Sequence, residues 1–150
     1  MILDSFETKR IRAVALNKYG MYVFINNLIA LEKILGLAHS NMQLESHVKN
    51  AMEISYDKML DNEENSIWFT NWIIILKKEN KIIGGIGFKN TPNNNGEIEI
   101  GYGIDKDYWN KGLMTETVNY LTKWALNHKN VKSLVAETLE SNLASQKVLQ

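Results

Sequence analysis

Residues 97–116 read EIEIGYGIDKDYWNKGLMTE. Polar and apolar side chains alternate from Glu97 to Ile104, the period of a half-buried strand. A short polar turn follows. Beyond it Met114, Val118, Leu121 and Ala125 recur at helical spacing, with Thr115, Glu116, Asn119 and Lys123 largely off that face, which predicts a helix from Lys111 to about His128. A strand feeding a helix through a lysine and a glycine is a layout for holding phosphates. The first amides of a helix have no intrahelical partner and carry the positive end of its dipole, so an anion seated there is stabilised without a side-chain cation. Gly112 lets a ligand come close and admits backbone angles closed to other residues, while Lys111 adds a mobile positive charge. A lone turn glycine before a helix is common and would say little.

On the far side of this helix, residues 131–138 read as a strand that can lie parallel to the one before the helix, giving a strand-helix-strand crossover. A last helix is expected from Ser141 or Asn142 and is cut off at Gln150. Upstream, residues 91–96 hold the only proline and three consecutive asparagines, a loop signal. Before that loop, residues 67–76 and 81–88 read as an antiparallel hairpin turning at Glu79 and Asn80, so three consecutive strands form a meander. The first third is mostly helical. Residues 8–16 suit a strand, and Asn17 can cap a helix reaching about Leu37. A second helix begins near Ser40 or Asn41 and runs to about Leu60, with Leu44, Val48, Met52 and Met59 as its buried stripe. The fold class expected is mixed α and β, a mostly antiparallel sheet with helices on both faces, in one domain over residues 1–150.

A chain of 150 residues can bury enough surface for a core without staples. It has no cysteine, which excludes disulfides, thiolate metal sites and cysteine nucleophiles. Seventeen Lys and Arg balance seventeen Asp and Glu, against the long-range field that nucleic acid or an anionic membrane would need. The start MILDSFETKR is acidic and polar where a signal peptide needs a basic start and an apolar run, so a cytoplasmic protein is expected. His39, His47 and His128 show no ligand spacing and no paired carboxylate, and no metal site is expected. Trp68 and Trp72 either line a groove or pack the sheet, and the methionines read as core filler.

FETKRIRAV (residues 6–14), WIIILKKENKIIGGIGF (residues 72–88), EIGYGID with YWNKGLMTE, and ETLESNLASQKVL (residues 137–149) together resemble the GCN5-related N-acetyltransferase (GNAT) superfamily. The likeness is to the branch of ribosomal-protein alanine N-acetyltransferases and covers most of the chain. It implies that acetyl-coenzyme A is the cosubstrate and that a primary amine, of a protein N-terminus or a small molecule, is the acceptor. The alternative implied is a catalytically weak acyl-coenzyme A-binding module with an incomplete acceptor site.

The superfamily's pyrophosphate loop is similar to the stretch with Trp109 at its first position, Gly112 at its centre and Met114 at its last, where glycine or alanine is usual. The resemblance therefore assigns coenzyme binding to Ile104 at the strand end, to Trp109, Asn110, Lys111, Gly112, Leu113, Met114 and Thr115, and to Asn142 in the last helix. For Trp109 the alternative is a hydrophobic lid, and for Asn142 a helix cap. Direct attack of an amine on a thioester needs a base, a positioned carbonyl and a proton for the departing thiolate. Glu99, alternating with Ile98 and Ile100, would face the cleft and is the candidate base, either directly or through water; the plain alternative is a solvent-facing carboxylate. Glu97 is the weaker candidate on the same face. Ser145 is the candidate for assisting the thiolate, and Tyr102 reads as a pocket wall. Gly101 and Gly103 make a bulge plausible in this strand. The family continues past the last helix into two more strands that have no counterpart here; either this is a fragment, or the open edge of the strand at 131–138 is covered by something else, a homodimer being one such cover.

Overall fold

The computed structural model of the chain describes residues 1–136. Its sheet has six strands in the order β1 to β6: β1 (Ile2–Glu7), β2 (Ile11–Leu16), β3 (Asn71–Leu76), β4 (Lys81–Phe88), β5 (Glu97–Ile104) and β6 (Ser133–Val135). Every neighbouring pair is antiparallel except β5 and β6, which run parallel in the register Glu97 with Ser133 and Glu99 with Val135. Helix α4 (Leu113–Leu126) makes the crossover between them.

The two faces are set by the alternation within the central strands. In β2, Ile11, Ala13 and Ala15 point one way and Val14 and Leu16 the other; in β3, Trp72, Ile74 and Leu76 oppose Ile73 and Ile75. The first set packs under α4 with Val118, Leu121 and Ala125, and the tryptophans pack the sheet: Trp68 and Trp72 are 8% and 0% exposed, each edge-on to Trp124. The second set packs under α1 (Lys18–Asn26), α2 (Leu28–Ile34) and α3 (Ser46–Asp61), around Met21, Phe24, Leu31 and Met59. Helices thus cover both faces, as expected.

Several boundaries differ from the sequence reading. β1 was read as no element; it is an edge strand with Phe6 its one buried residue, so no alternation marks it. The strand at 8–16 is shorter, since residues 8–10 form the turn into β2. The helix capped by Asn17, whose Oδ1 accepts the Gly20 N–H at 3.0 Å, ends at Asn26. Asn27 then caps a separate α2 by accepting the Ala30 N–H at 3.1 Å. α3 starts at Ser46 rather than near Ser40, because Asn41 sits at φ 59° and the Ser40 N–H is held by Glu32 Oε2 at 2.8 Å. Of the stripe expected in α3, Met59 is buried and Leu44 and Met52 pack partly against the core. Residues 67 and 68 belong to a 3-10 turn (Glu63–Trp68), so β3 begins only at Asn71.

The expected bulge lies elsewhere. β4 and β5 pair without interruption from Gly84 with Ile104 to Phe88 with Ile100, so Gly101 and Gly103 sit in regular ladder. The irregularity falls where Ile74 pairs with Gly84 but Ile75 with Ile82, leaving Ile83 as the extra residue. The slip shows in the packing, for Ile82 faces the α1–α3 side and Ile83 the α4 side. Gly84 is needed at this spot: a Cβ there would lie 2.3 Å from the Gly103 carbonyl oxygen and 2.8 Å from Ile104 Cα.

Candidate functional site

The end of β5 runs into α4 through a tightly tied turn. The Asp105 N–H donates to Ile83 O at 2.8 Å, Asp105 Oδ1 accepts the Asp107 N–H at 3.1 Å, and a short 3-10 turn (Lys106–Tyr108) follows. Trp109 is half exposed, and its indole Nε1 donates to the Ile104 carbonyl at 2.9 Å, which pins the turn to the strand that precedes it. Burial and a hydrogen bond to Glu79 push the Tyr108 phenol up, and the Lys111 ammonium lies 5.8 Å from the Tyr108 ring centroid.

Two left-handed residues then aim the chain into the helix: Asn110 at φ 61° and Gly112 at φ 74°. Gly112 is the N-cap of α4, and no side chain among the described residues caps the helix there. The first intrahelical bond runs from the Glu116 N–H to Gly112 O at 3.0 Å, so the amides of Leu113, Met114 and Thr115 precede the ladder. Leu113 and Met114 anchor the helix by burying their side chains, and Thr115 stays half-buried. Trp109, Asn110, Lys111, Gly112, Leu113, Met114 and Thr115 are therefore contiguous around one uncapped helix start, with Ile104 behind them as the acceptor of the tryptophan bond.

Glu116, one turn in, is held by the β1–β2 turn. Its Oε2 accepts from the Thr8 hydroxyl and, at 3.0 Å, from the Arg10 N–H; its Oε1 accepts from Arg10 Nε at 2.8 Å. Burial pushes this carboxyl up, but the hydrogen bonds from Thr8 and Arg10 outweigh that and hold it below the usual range. Thr8 and Arg10 lie in the FETKRIRAV stretch, which was given no site role from the sequence, and Arg10 and Glu116 lie 106 residues apart, beyond any local pattern.

Glu99 lies on the other face. Ile98 and Ile100 point into the core under α4, so Glu97 and Glu99 point to the α1–α3 side of β5. Glu99 is half exposed and ion-paired to Lys89 Nζ at 3.2 Å, a partner the sequence reading missed; Glu97 accepts from Asn93 Nδ2 at 3.1 Å. On this face β4 and β5 carry paired glycines, Gly85 with Gly103 and Gly87 with Gly101, and the Asn71 and Lys89 side chains lie over Gly85 and Gly101. Among the described residues a Cβ at Gly103 would meet nothing within 4 Å, whereas one at Gly85 would collide with the Asn71 side chain at 2.8 Å. Asn71 Nδ2 is a buried donor with no partner among the described residues. Tyr102, by contrast, packs on the α4 side against the core and so walls the opposite face of β5.

Asn142 and Ser145, with the expected last helix and the end of the strand at 131–138, lie outside the described residues. The histidines require correction, since two do have carboxylate partners: His39 Nδ1 is 3.0 Å from Glu32 Oε1 and His47 Nδ1 is 3.4 Å from Glu45 Oε2. Glu32 is a buried side chain on α2, and the Ser40 N–H is its second donor, so the pair anchors the segment leading to α3. Among the described residues no group of three or more His, Asp or Glu side chains is arranged to hold a metal ion, and no helix is long and apolar enough to cross a membrane. A depression of about 540 Å³ lined by Trp68, Thr91, Lys129 and Lys132 lies beyond the C-terminal end of α4, and neither the Gly112 turn nor Glu99 lines it.

The domain family described as acetyltransferase (GNAT) domain matches residues 31–150. Among curated proteins the chain is similar to an uncharacterized N-acetyltransferase, YjdG, of Bacillus subtilis, 40% identical over 82 residues, which is 55% of this chain and 49% of that protein. It is also similar to an uncharacterized N-acetyltransferase, p20, of Bacillus licheniformis, 28% identical over 69% of this chain and 56% of that protein. The chain thus spans about half the length of the curated relatives it matches. Among solved structures, a ribosomal-protein-S5-alanine acetyltransferase from Vibrio fischeri shares the fold at a TM-score of 0.67 and 20% identity, covering 97% of this chain and 80% of that one. RimL, a ribosomal L7/L12 alpha-N-protein acetyltransferase in complex with coenzyme A, does so at a TM-score of 0.67 and 14% identity, with the same coverage.

Proposed function

Because the chain belongs to the acetyltransferase (GNAT) family, we propose that it moves the acetyl group of acetyl-coenzyme A to a primary amine by direct attack in a ternary complex. The observation that carries the reading is the uncapped start of α4 behind Gly112 at φ 74°, immediately after β5. Its free amides and dipole suit a pyrophosphate, and the missing Cβ leaves the backbone approachable. Lys111 adds a cation beside the turn, and Thr115 a hydroxyl in the first helical turn. Acetyl-coenzyme A supplies the chemistry, an acetyl group activated as a thioester. In the transfer a carbon–nitrogen bond forms and a carbon–sulfur bond breaks, so one proton leaves the amine and one reaches the thiolate.

Glu99 is the group proposed to take the amine's proton, directly or through water. Its position beside the glycines of β5 supports this role, since Gly101 and Gly103 put no Cβ of their own between it and an approaching amine. Lys89 Nζ, 3.2 Å from Glu99 Oε1, fixes where the carboxylate sits on this face. The acceptor is an amine of a protein N-terminus or of a small molecule.

The test is calorimetric titration with coenzyme A, joined to a free-thiol assay over a panel of amines. The unmodified protein is expected to bind coenzyme A, and Gly112→Val to weaken it while the circular dichroism spectrum is retained. Unchanged affinity in a folded Gly112→Val protein would sink the assignment of the turn. Binding without thiol release for any amine would leave the weaker reading, an acyl-coenzyme A-binding module.

A further inference from the structure

The contacts around Arg10 do more than tie a hairpin to a helix. One guanidinium bridges both sides of the Gly112 turn: Nη1 donates to the Lys111 carbonyl at 2.8 Å, and Nε to Glu116 Oε1 at 2.8 Å. Nη2 lies 3.4 Å from where a Cβ on Gly112 would stand. Stability is a weak reason for such a device, because the Arg10 side chain is 42% exposed and exposed ion pairs contribute little.

Two consequences for an anion at this turn are stronger. Glu116 is in the first turn of α4, where the helix dipole favours negative charge, so an unpaired carboxylate there would compete with a phosphate for the same field. Arg10 cancels that charge. Secondly, a trans peptide places its C=O and N–H on opposite sides. Fixing the Lys111 carbonyl on Arg10 therefore turns the Gly112 N–H away from the guanidinium and keeps the carbonyl oxygen from facing an anion on the N–H side.

We propose that Thr8, Arg10 and Glu116 form a clamp that presets the charge and peptide orientation of the Gly112 turn, making Arg10 a positioning residue for coenzyme A. The inference rests on the reading that the pyrophosphate sits on this turn, and it extends the coenzyme site to the β1–β2 turn.

The experiment measures affinity for coenzyme A, and for pantetheine, which carries the thiol arm without the pyrophosphate. It compares the unmodified protein with Arg10→Ala, Glu116→Gln, both together, and Gly112→Val. Arg10→Ala is expected to weaken coenzyme A about ten- to a hundredfold, the span set by one hydrogen bond to a charged group, and to leave pantetheine unchanged. Glu116→Gln alone should bind coenzyme A at least as tightly as the unmodified protein, and in its background the Arg10→Ala loss should shrink to the part that the freed Lys111 carbonyl accounts for. A purely structural pair would weaken both ligands alike. Equal Arg10→Ala losses in both backgrounds, or none while Gly112→Val weakens binding, overturn the clamp and leave the pyrophosphate reading standing. If coenzyme A binds and neither Arg10 nor Gly112 matters, or if it does not bind at all, the pyrophosphate reading fails and takes the clamp with it. Should Arg10→Ala not fold, Glu116→Gln decides, since weaker coenzyme A binding by that variant contradicts the clamp.

Discussion

Two glycines on neighbouring strands should respond in opposite ways to the same methyl group. At Gly84 an added Cβ would stand 2.3 Å from the Gly103 oxygen, about 1 Å inside ordinary contact, and its neighbours are backbone atoms that cannot rotate away. β4 and β5 would have to part there, stretching ladder bonds. Overpacking costs about 1–3 kcal/mol, and weakening one or two hydrogen bonds adds about 1 kcal/mol each, so Gly84→Ala should destabilise by about 3 kcal/mol. At Gly103 an added Cβ meets nothing among the described residues within 4 Å, so Gly103→Ala should stabilise by about 0.4–1 kcal/mol through the unfolded chain. For a chain of this size each kcal/mol moves Tm by roughly 2–4 °C, which separates the two alanines by about 10 °C. Thermal and urea unfolding of the three proteins, checked for two-state behaviour, gives the comparison. Equal midpoints for the two variants, or a Gly84→Ala protein as stable as the unmodified one, would refute the close approach at the bulge.

Glu99→Gln should lower turnover at saturating substrates by about 10²- to 10⁴-fold with coenzyme A affinity kept; full turnover across neutral pH would rule out the base. Burial pushes the Glu32 carboxyl up, but the His39 and Ser40 hydrogen bonds outweigh it and hold it below its ordinary value. Its contribution is therefore present above the unfolded carboxylate pKa and lost as pH falls through the folded one, so Glu32→Gln should be less stable near neutrality and the gap should narrow on acidification. Urea midpoints that stay parallel between about pH 7 and pH 3 would contradict this. Asn27→Ala should cost about 1 kcal/mol and Asn27→Gly only a few tenths, because glycine tolerates the cap position while alanine does not; equal urea midpoints for the two would argue against the cap.

The parts of this fold legible in the sequence are those where one face is buried and the other wet. Glu97–Ile104 and the stripe of α4 came out as read, because burial in β5 alternates and Val118, Leu121 and Ala125 all face the core. β1 was invisible since an edge strand with Phe6 alone buried carries no period. The break at Asn27 was hidden by apolar residues on both sides of it, although an asparagine between two apolar runs is the signature of a cap. The bulge lies at a different glycine from those expected: Gly84 sits where the Ile82 and Ile83 phases slip, while Gly101 and Gly103 pair in regular ladder. In the site, the helix start was readable from Lys111 and Gly112. The ties from Arg10 to Glu116 and from Lys89 to Glu99 were not, because each joins side chains from separate elements whose meeting depends on the whole sheet.

The strand order along the sheet repeats the order along the chain, and this has a consequence for biosynthesis. A ribosome delivers each strand to an edge that already exists, and a hairpin such as β3 with β4 closes in about 1–10 μs, far faster than synthesis proceeds. The longest junction breaks that rhythm most. Between Leu16 and Asn71 the chain makes α1, α2 and α3 before β3 arrives, an interval of roughly 3–10 s at about 5–20 residues per second. During it β2, apolar on both faces through Ile11, Ala13, Val14 and Leu16, waits with one edge unpaired, and α1 and α2 reach its Val14 and Leu16 side before its neighbouring strand does. Ile11, Ala13 and Ala15 wait longer, because α4, which covers their face, is made after β5.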